Sequence, residues 1–216
     1  MKIVAGLAVL IASAFGALAV AADEGSWLVR ARATYMMVDN GNSQTFVDPA
    51  LGELNAANKW LPEFDVTYFF TKNIATELIL TYPQQDNLSF AGAAIGSVKV
   101  LPPTLTFQYH FRPETTISPY LGVGVNYTIY TGVHINAVTA LGVNAPINVD
   151  RTSWGPAGQF GVDYRFAPGW LLNLDAKYIG MSANNVRITG GPLAGTQVTN
   201  LTLNPWLLSL GVGYRF

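Results

Sequence analysis

Residues 206–216 read Trp206-Leu207-Leu208-Ser209-Leu210-Gly211-Val212-Gly213-Tyr214-Arg215-Phe216. Successive side chains of a strand point to opposite faces. Trp206, Leu208, Leu210, Val212, Tyr214 and Phe216 therefore share one face, and Leu207, Ser209, Gly211, Gly213 and Arg215 the other. The first face is bulky and apolar; the second is small or polar except for Leu207. A soluble barrel places its large apolar side chains inside and its polar ones in water. The opposite assignment fits here, because the interior of an eight-stranded barrel barely holds its own side chains. Small and polar groups belong inside such a barrel, and the bulky face meets lipid.

The same alternation recurs upstream. Trp154, Phe160, Val162, Tyr164 and Phe166 stand opposite Gly155, Ala157, Gln159, Asp163 and Arg165, and Leu105, Phe107, Tyr109 and Phe111 opposite Thr104, Thr106, Gln108 and His110. Eight alternating segments are read: Trp27–Met37, Trp60–Phe70, Ile74–Tyr82, Lys99–Phe111, Pro119–Tyr130, Ser153–Phe166, Trp170–Ile179 and Asn204–Phe216. Short connectors (71–73, 112–118, 167–169) alternate with long ones (38–59, 83–98, 131–152, 180–203). Short periplasmic turns alternating with long extracellular loops are the pattern of an up-and-down transmembrane barrel. The expected fold is all-β, an eight-stranded antiparallel transmembrane β-barrel. Aromatic residues at both ends of most strands, among them Tyr35, Trp60, Trp154 and Trp206 at one interface and Trp27, Tyr109, Trp170 and Phe216 at the other, supply the two girdles such a barrel requires.

Of the 216 residues, 12% are charged and 50% hydrophobic; cysteine is absent and the formal net charge is −1. That composition excludes a disulfide scaffold, a disordered tail and a basic nucleic-acid binder. Met1-Lys2, an apolar run from Ile3 to Val20 and small residues before Asp23 read as an export signal, so residues 1–22 are expected to be a cleaved signal peptide and 23–216 the barrel. No later apolar run reaches the ~20 residues of a spanning helix. His110 and His134 lie far apart in sequence, and nucleophile elbow, zinc pair and phosphate loop are absent, so neither enzyme, metal site nor cofactor is expected.

By parity ten charges face inward: Arg30, Arg32, Arg165, Lys177 and Arg215 against Glu63, Asp65, Glu77, Asp163 and Asp175. Buried charges require partners, so an internal ion-pair network is expected toward the short-turn side. Nearer the long loops the inward residues Met36, Leu61, Ile79, Thr104, Ile179 and Leu207 form an apolar upper lumen. An apolar mouth above a polar base suits a hydrophobic solute, although packing of a narrow barrel accounts for the same residues. A solute unable to descend must leave sideways. Proline lacks the N–H a ladder needs, which makes Pro102, Pro103 and Pro156 candidates for a lateral opening; proline at a bend or strand start is the competing reading.

Leu101-Pro-Pro-Thr-Leu105, the run from Pro119 to Thr128, that from Ser153 to Tyr164, Trp170-Leu-Leu-Asn173, and Asn204-Pro-Trp206 through Phe216 resemble the OmpW family of outer-membrane proteins. The resemblance spans the mature chain and is weak in the four long loops. It implies an eight-stranded barrel in the outer membrane of a Gram-negative cell. It also implies passive uptake of small hydrophobic ligands through a channel opening laterally into the bilayer, and Phe216 as part of the signal read by the barrel-assembly machinery. The expected surroundings are the lipid bilayer and lipopolysaccharide, with no nucleic acid. A structural or interaction protein whose loops bind a partner is the alternative.

Overall fold

The computed structural model describes residues 26–39, 54–90, 93–135, 147–148, 151–188 and 197–216; the expected signal peptide lies outside them. Eight strands close the barrel: β1 (Trp27–Met37), β3 (Lys59–Phe69), β4 (Ile74–Thr81), β7 (Thr104–His110), β8 (Ile117–Ile135), β10 (Thr152–Ala167), β11 (Trp170–Ile179) and β14 (Trp206–Arg215). All neighbours are antiparallel, and the ring closes where β1 pairs with both β3 and β14. Closure gives every barrel strand a neighbour on both sides.

Burial alternates residue by residue, as in β7, where Thr104, Thr106, Gln108 and His110 are buried and Leu105, Phe107 and Tyr109 exposed. The polar residues are thus the interior and the large apolar ones the surface. Val123 is 70% exposed, Trp154 69% and Leu210 58%, a belt that only hydrocarbon could cover. Girdle rings pack in cross-strand pairs, Tyr35 on Trp60 and Tyr127 on Trp154 at one end, Trp27 on Tyr68 and Trp170 on Tyr214 at the other. Such contacts fix the wide rings at the interface, with Tyr68 buried between Trp27 and Phe70.

Two expectations change. The segment Lys99–Phe111 is not one strand: β6 (Ala93–Leu101) ends and β7 begins on either side of Pro102-Pro103, which cannot donate to a ladder. The long connectors also carry strands beyond the barrel. β5 (Gln84–Phe90) pairs with β6 and with β2 (Leu54–Ala56), β6 pairs with the upper part of β8, and β12 (Ser182–Ile188), β13 (Gln197–Thr202) and β9 (Ile147–Asn148) form a separate small sheet.

A lipid-facing wall penalises charge that a water-facing wall would accept. Leu210→Arg, at the centre of β14, is expected to lower stability by about 2–4 kcal/mol, read as a shifted urea midpoint of the protein refolded in lipid vesicles. At a water-exposed site the same change would stay within about 0.5 kcal/mol.

Candidate functional site

Antiparallel register places Arg30 opposite Asp65 and Arg32 opposite Glu63 across β1 and β3. Both arginines are buried, and their planar forks reach several strands at once. Arg30 Nη1 donates to Asp65 Oδ1 and Glu77 Oε1, each at 3.1 Å, and to Thr67 Oγ1 at 2.9 Å, while Nη2 reaches Asp163 Oδ2 at 2.8 Å. Arg32 donates through Nε to Asn173 Oδ1 (2.7 Å), through Nη1 to Glu63 Oε1 (2.9 Å) and through Nη2 to Glu77 Oε1 (2.9 Å). Its Nη1 also lies 2.8 Å from Asp65 Oδ2, an ion pair without hydrogen-bond alignment. Lys177 Nζ bridges Glu63 Oε1 at 2.6 Å and Asp175 Oδ1 at 2.5 Å.

Neutral side chains of the same parity complete the network. Gln108 and Gln159 donate to Glu77 Oε2 at 2.7 and 2.8 Å, Tyr120 Oη to Asp175 Oδ2 at 2.9 Å, and Asn173 Nδ2 to Asp163 Oδ1 at 2.8 Å. These members escape a search for charges, yet their place on the inward face was available. Space for the arginines comes from β14. Gly213 pairs with Arg30 and Gly211 with Arg32, and a Cβ there would lie 2.8 and 2.6 Å from the respective arginine Cγ.

The ten expected charges do not form a single cluster. Arg165 and Arg215 are half-buried below it, at the short-turn mouth: Arg165 donates to the Pro113 carbonyl, and the Arg215 guanidinium lies 4.0 Å from the centre of the Phe69 ring. They line an open cavity of ≈ 760 Å³ together with Phe69 and Leu171. Within the network proper, three cations (Arg30, Arg32, Lys177) serve five carboxylates, rather than five serving five.

Above the network Met36, Leu61, Ile79, Thr104, Ile179 and Leu207 are brought together around one cavity of ≈ 30 Å³. Glu63 stands at its floor, and Thr81, Gln84, Val100 and Pro102 carry its lining into the wall. There the β4–β7 ladder stops at Ile79↔Thr104, and the β5–β6 ladder resumes only at Gln84↔Val100. Four residues (80–83) face three (101–103), so pairing slips by one and no ladder pair bridges this stretch among the described residues. The freed carbonyls take side-chain donors instead: Tyr82 O accepts from Thr81 Oγ1 and Gln84 Nε2, both 3.1 Å, and Pro102 O from Thr104 Oγ1 at 3.2 Å. On its other side Pro103 O accepts from Tyr127 N at 3.0 Å, so the wall stays attached to β8. Pro156 stands elsewhere, where β10 and β11 cease to pair; Gly180 N donates to its carbonyl at 2.8 Å, and a Cβ on Gly180 would lie 2.7 Å from the Pro156 ring, so that junction is tight.

Removing one buried cation strands several carboxylates in low dielectric. Arg32→Met is expected to cost about 3–5 kcal/mol, measured as the urea midpoint of the heat-modifiable gel shift. Lys72→Ala, at the exposed Lys72–Glu114 pair between two short turns, leaves that midpoint unchanged.

The sequence profile of the OmpW family matches residues 23–216. Outer membrane protein W of Vibrio cholerae is 31% identical over 99% of this chain and 98% of its own length. Outer membrane protein AlkL of Ectopseudomonas oleovorans is 29% identical, over 81% of this chain and 79% of its own. The crystal structure of OprG from Pseudomonas aeruginosa superposes with a TM-score of 0.74 at 23% identity, covering 89% of this chain and 97% of that one. Inverted faces, eight-strand closure and a match across the whole barrel have one consequence: the chain belongs to the OmpW family of outer-membrane barrels.

Proposed function

We propose that this barrel passively admits small hydrophobic molecules from the cell exterior into its apolar upper lumen and releases them sideways into the bilayer. One observation carries the reading. The cavity walled by Met36, Leu61, Ile79 and Leu207 reaches both edges of the unladdered seam, at Thr81 and Pro102, while the charge network blocks descent. Buried, hydrogen-bonded charge repels an apolar solute and holds no continuous path for it. The seam beside Pro102 and Pro103 is the exit; the tight junction at Pro156 is the weaker candidate.

At ≈ 30 Å³ the cavity is smaller than any such solute, so passage requires the lining and seam to separate. The seam suits that movement, since its carbonyls are held by the side chains of Thr81, Gln84 and Thr104 rather than by a ladder. The strands above the barrel would carry the route past the lipopolysaccharide sugars. Residues 1–22 serve as the removed export signal, in keeping with a family match that begins at residue 23. Phe216 would take part in recognition by the barrel-assembly machinery. No catalytic role is assigned.

Proteoliposomes holding wild type or Ile79→Lys, each shown folded by its gel shift, are compared for entry of a small hydrophobic fluorescent probe. Entry is expected to fall at least tenfold in the variant. Equal entry would overturn the channel reading and turn attention to partners bound by the extracellular strands.

A further inference from the structure

The floor of the upper cavity is a carboxylate with one oxygen to spare. Glu63 is 2% exposed and lines the cavity. Both of its contacts, from Arg32 Nη1 at 2.9 Å and Lys177 Nζ at 2.6 Å, are made on Oε1. Oε2 receives no donor among the described residues, although an ionised carboxylate oxygen accepts two. Among the other polar groups of the lining, the Thr81 and Thr104 hydroxyls donate to Tyr82 O and Pro102 O, and Gln84 gives one amide N–H to Tyr82 O. Glu63 Oε2 is therefore the charged acceptor in a lining that is mostly apolar, and few, well-placed polar groups are what set orientation in such pockets.

We infer that Glu63 makes this lumen selective for small apolar molecules bearing a terminal hydroxyl, seating the hydroxyl as a hydrogen-bond donor on Oε2 with the hydrocarbon directed toward the seam. The inference rests on the lumen being the route proposed above. Three considerations fix the head group. The ≈ 30 Å³ space has room for about two waters, each of which needs roughly 10–15 Å³ of it, and so suits a hydroxymethyl group and not a chain. A carboxylate head would be repelled by Glu63. An ammonium head would stand as a third cation beside Arg32 and Lys177, both already on Glu63 Oε1. A neutral donor incurs neither repulsion and satisfies a buried acceptor, and a bond to a charged acceptor is about twice as strong as a neutral one.

The test is competition for probe entry by a matched pair, 1-octanol, which can donate, and 2-octanone, which only accepts, at equal mole fraction in the bilayer of proteoliposomes. Wild type is expected to be inhibited about tenfold more effectively by 1-octanol, the ratio set by one charge-assisted hydrogen bond. In Glu63→Gln the amide oxygen stays with the two cations and the amide N–H faces the cavity. There 2-octanone should gain and the ratio should fall to one or below, a reversal that mere loosening of the fold would not produce. Should Glu63→Gln not fold, the wild-type ratio decides alone. Equal inhibition of wild type by both compounds, with entry still abolished by Ile79→Lys, would overturn the seat and leave the lumen route standing. Entry indifferent to Ile79→Lys would overturn both.

Discussion

Charge buried in a wall of hydrocarbon must be matched from within, and that requirement organises this molecule. Arg30 and Arg32 leave one strand and reach carboxylates on β3, β4 and β10, so two side chains tie together strands distant around the ring. Each carboxylate is held by a cation or by the amides and hydroxyl of Gln108, Gln159, Asn173 and Tyr120. Such a cluster fills the narrow centre of an eight-stranded barrel. It divides the interior into an apolar chamber on the cell-exterior side and a wide, arginine-bearing mouth on the periplasmic side.

The chamber and the seam share one physical cause. Backbone groups in a membrane wall must find partners, and proline withdraws one donor from that supply. At Pro102-Pro103 the ladder to the neighbouring strand fails, and Pro83 across the gap withdraws a donor from the facing side. The orphaned carbonyls are met by threonine and glutamine side chains. Those contacts can be exchanged without breaking a strand, whereas the ladders on either side cannot.

Period-two alternation made the barrel, the inverted faces and the eight buried charges of the central network legible in sequence, because burial here follows parity almost without exception. Arg165 and Arg215 share that parity but lie where the barrel opens to the short-turn side, and parity carries no depth. Gln108 and Tyr120 were unremarkable as sequence, since neutral polar side chains become informative only once their carboxylate neighbours are known. The seam was half visible. Pro102-Pro103 stood out within a strand pattern, but Pro83 read as part of a long connector, and parity changes there: Tyr82 and Pro83 are both exposed and Gln84 is buried. A one-residue slip against the partner strand is a property of pairing, which no single strand displays. The strands above the barrel were missed for a related reason, as their pairing with one another is a property no single segment displays.

Gly211 and Gly213, lying against the side chains of Arg32 and Arg30, bear on how the barrel comes together. They sit on the last strand and the arginines on the first, about 180 residues apart along the chain. Until those two strands meet, one side of each arginine has no wall, and the carboxylates of β10 and β11 cannot be brought within reach of β1. Ring closure therefore completes a network that β3 and β4 begin, adding Asp163 of β10 to the partners of Arg30. An open, partly inserted sheet would turn that half-walled network toward acyl chains at a cost, which favours docking of the final strand before the lumen meets the membrane.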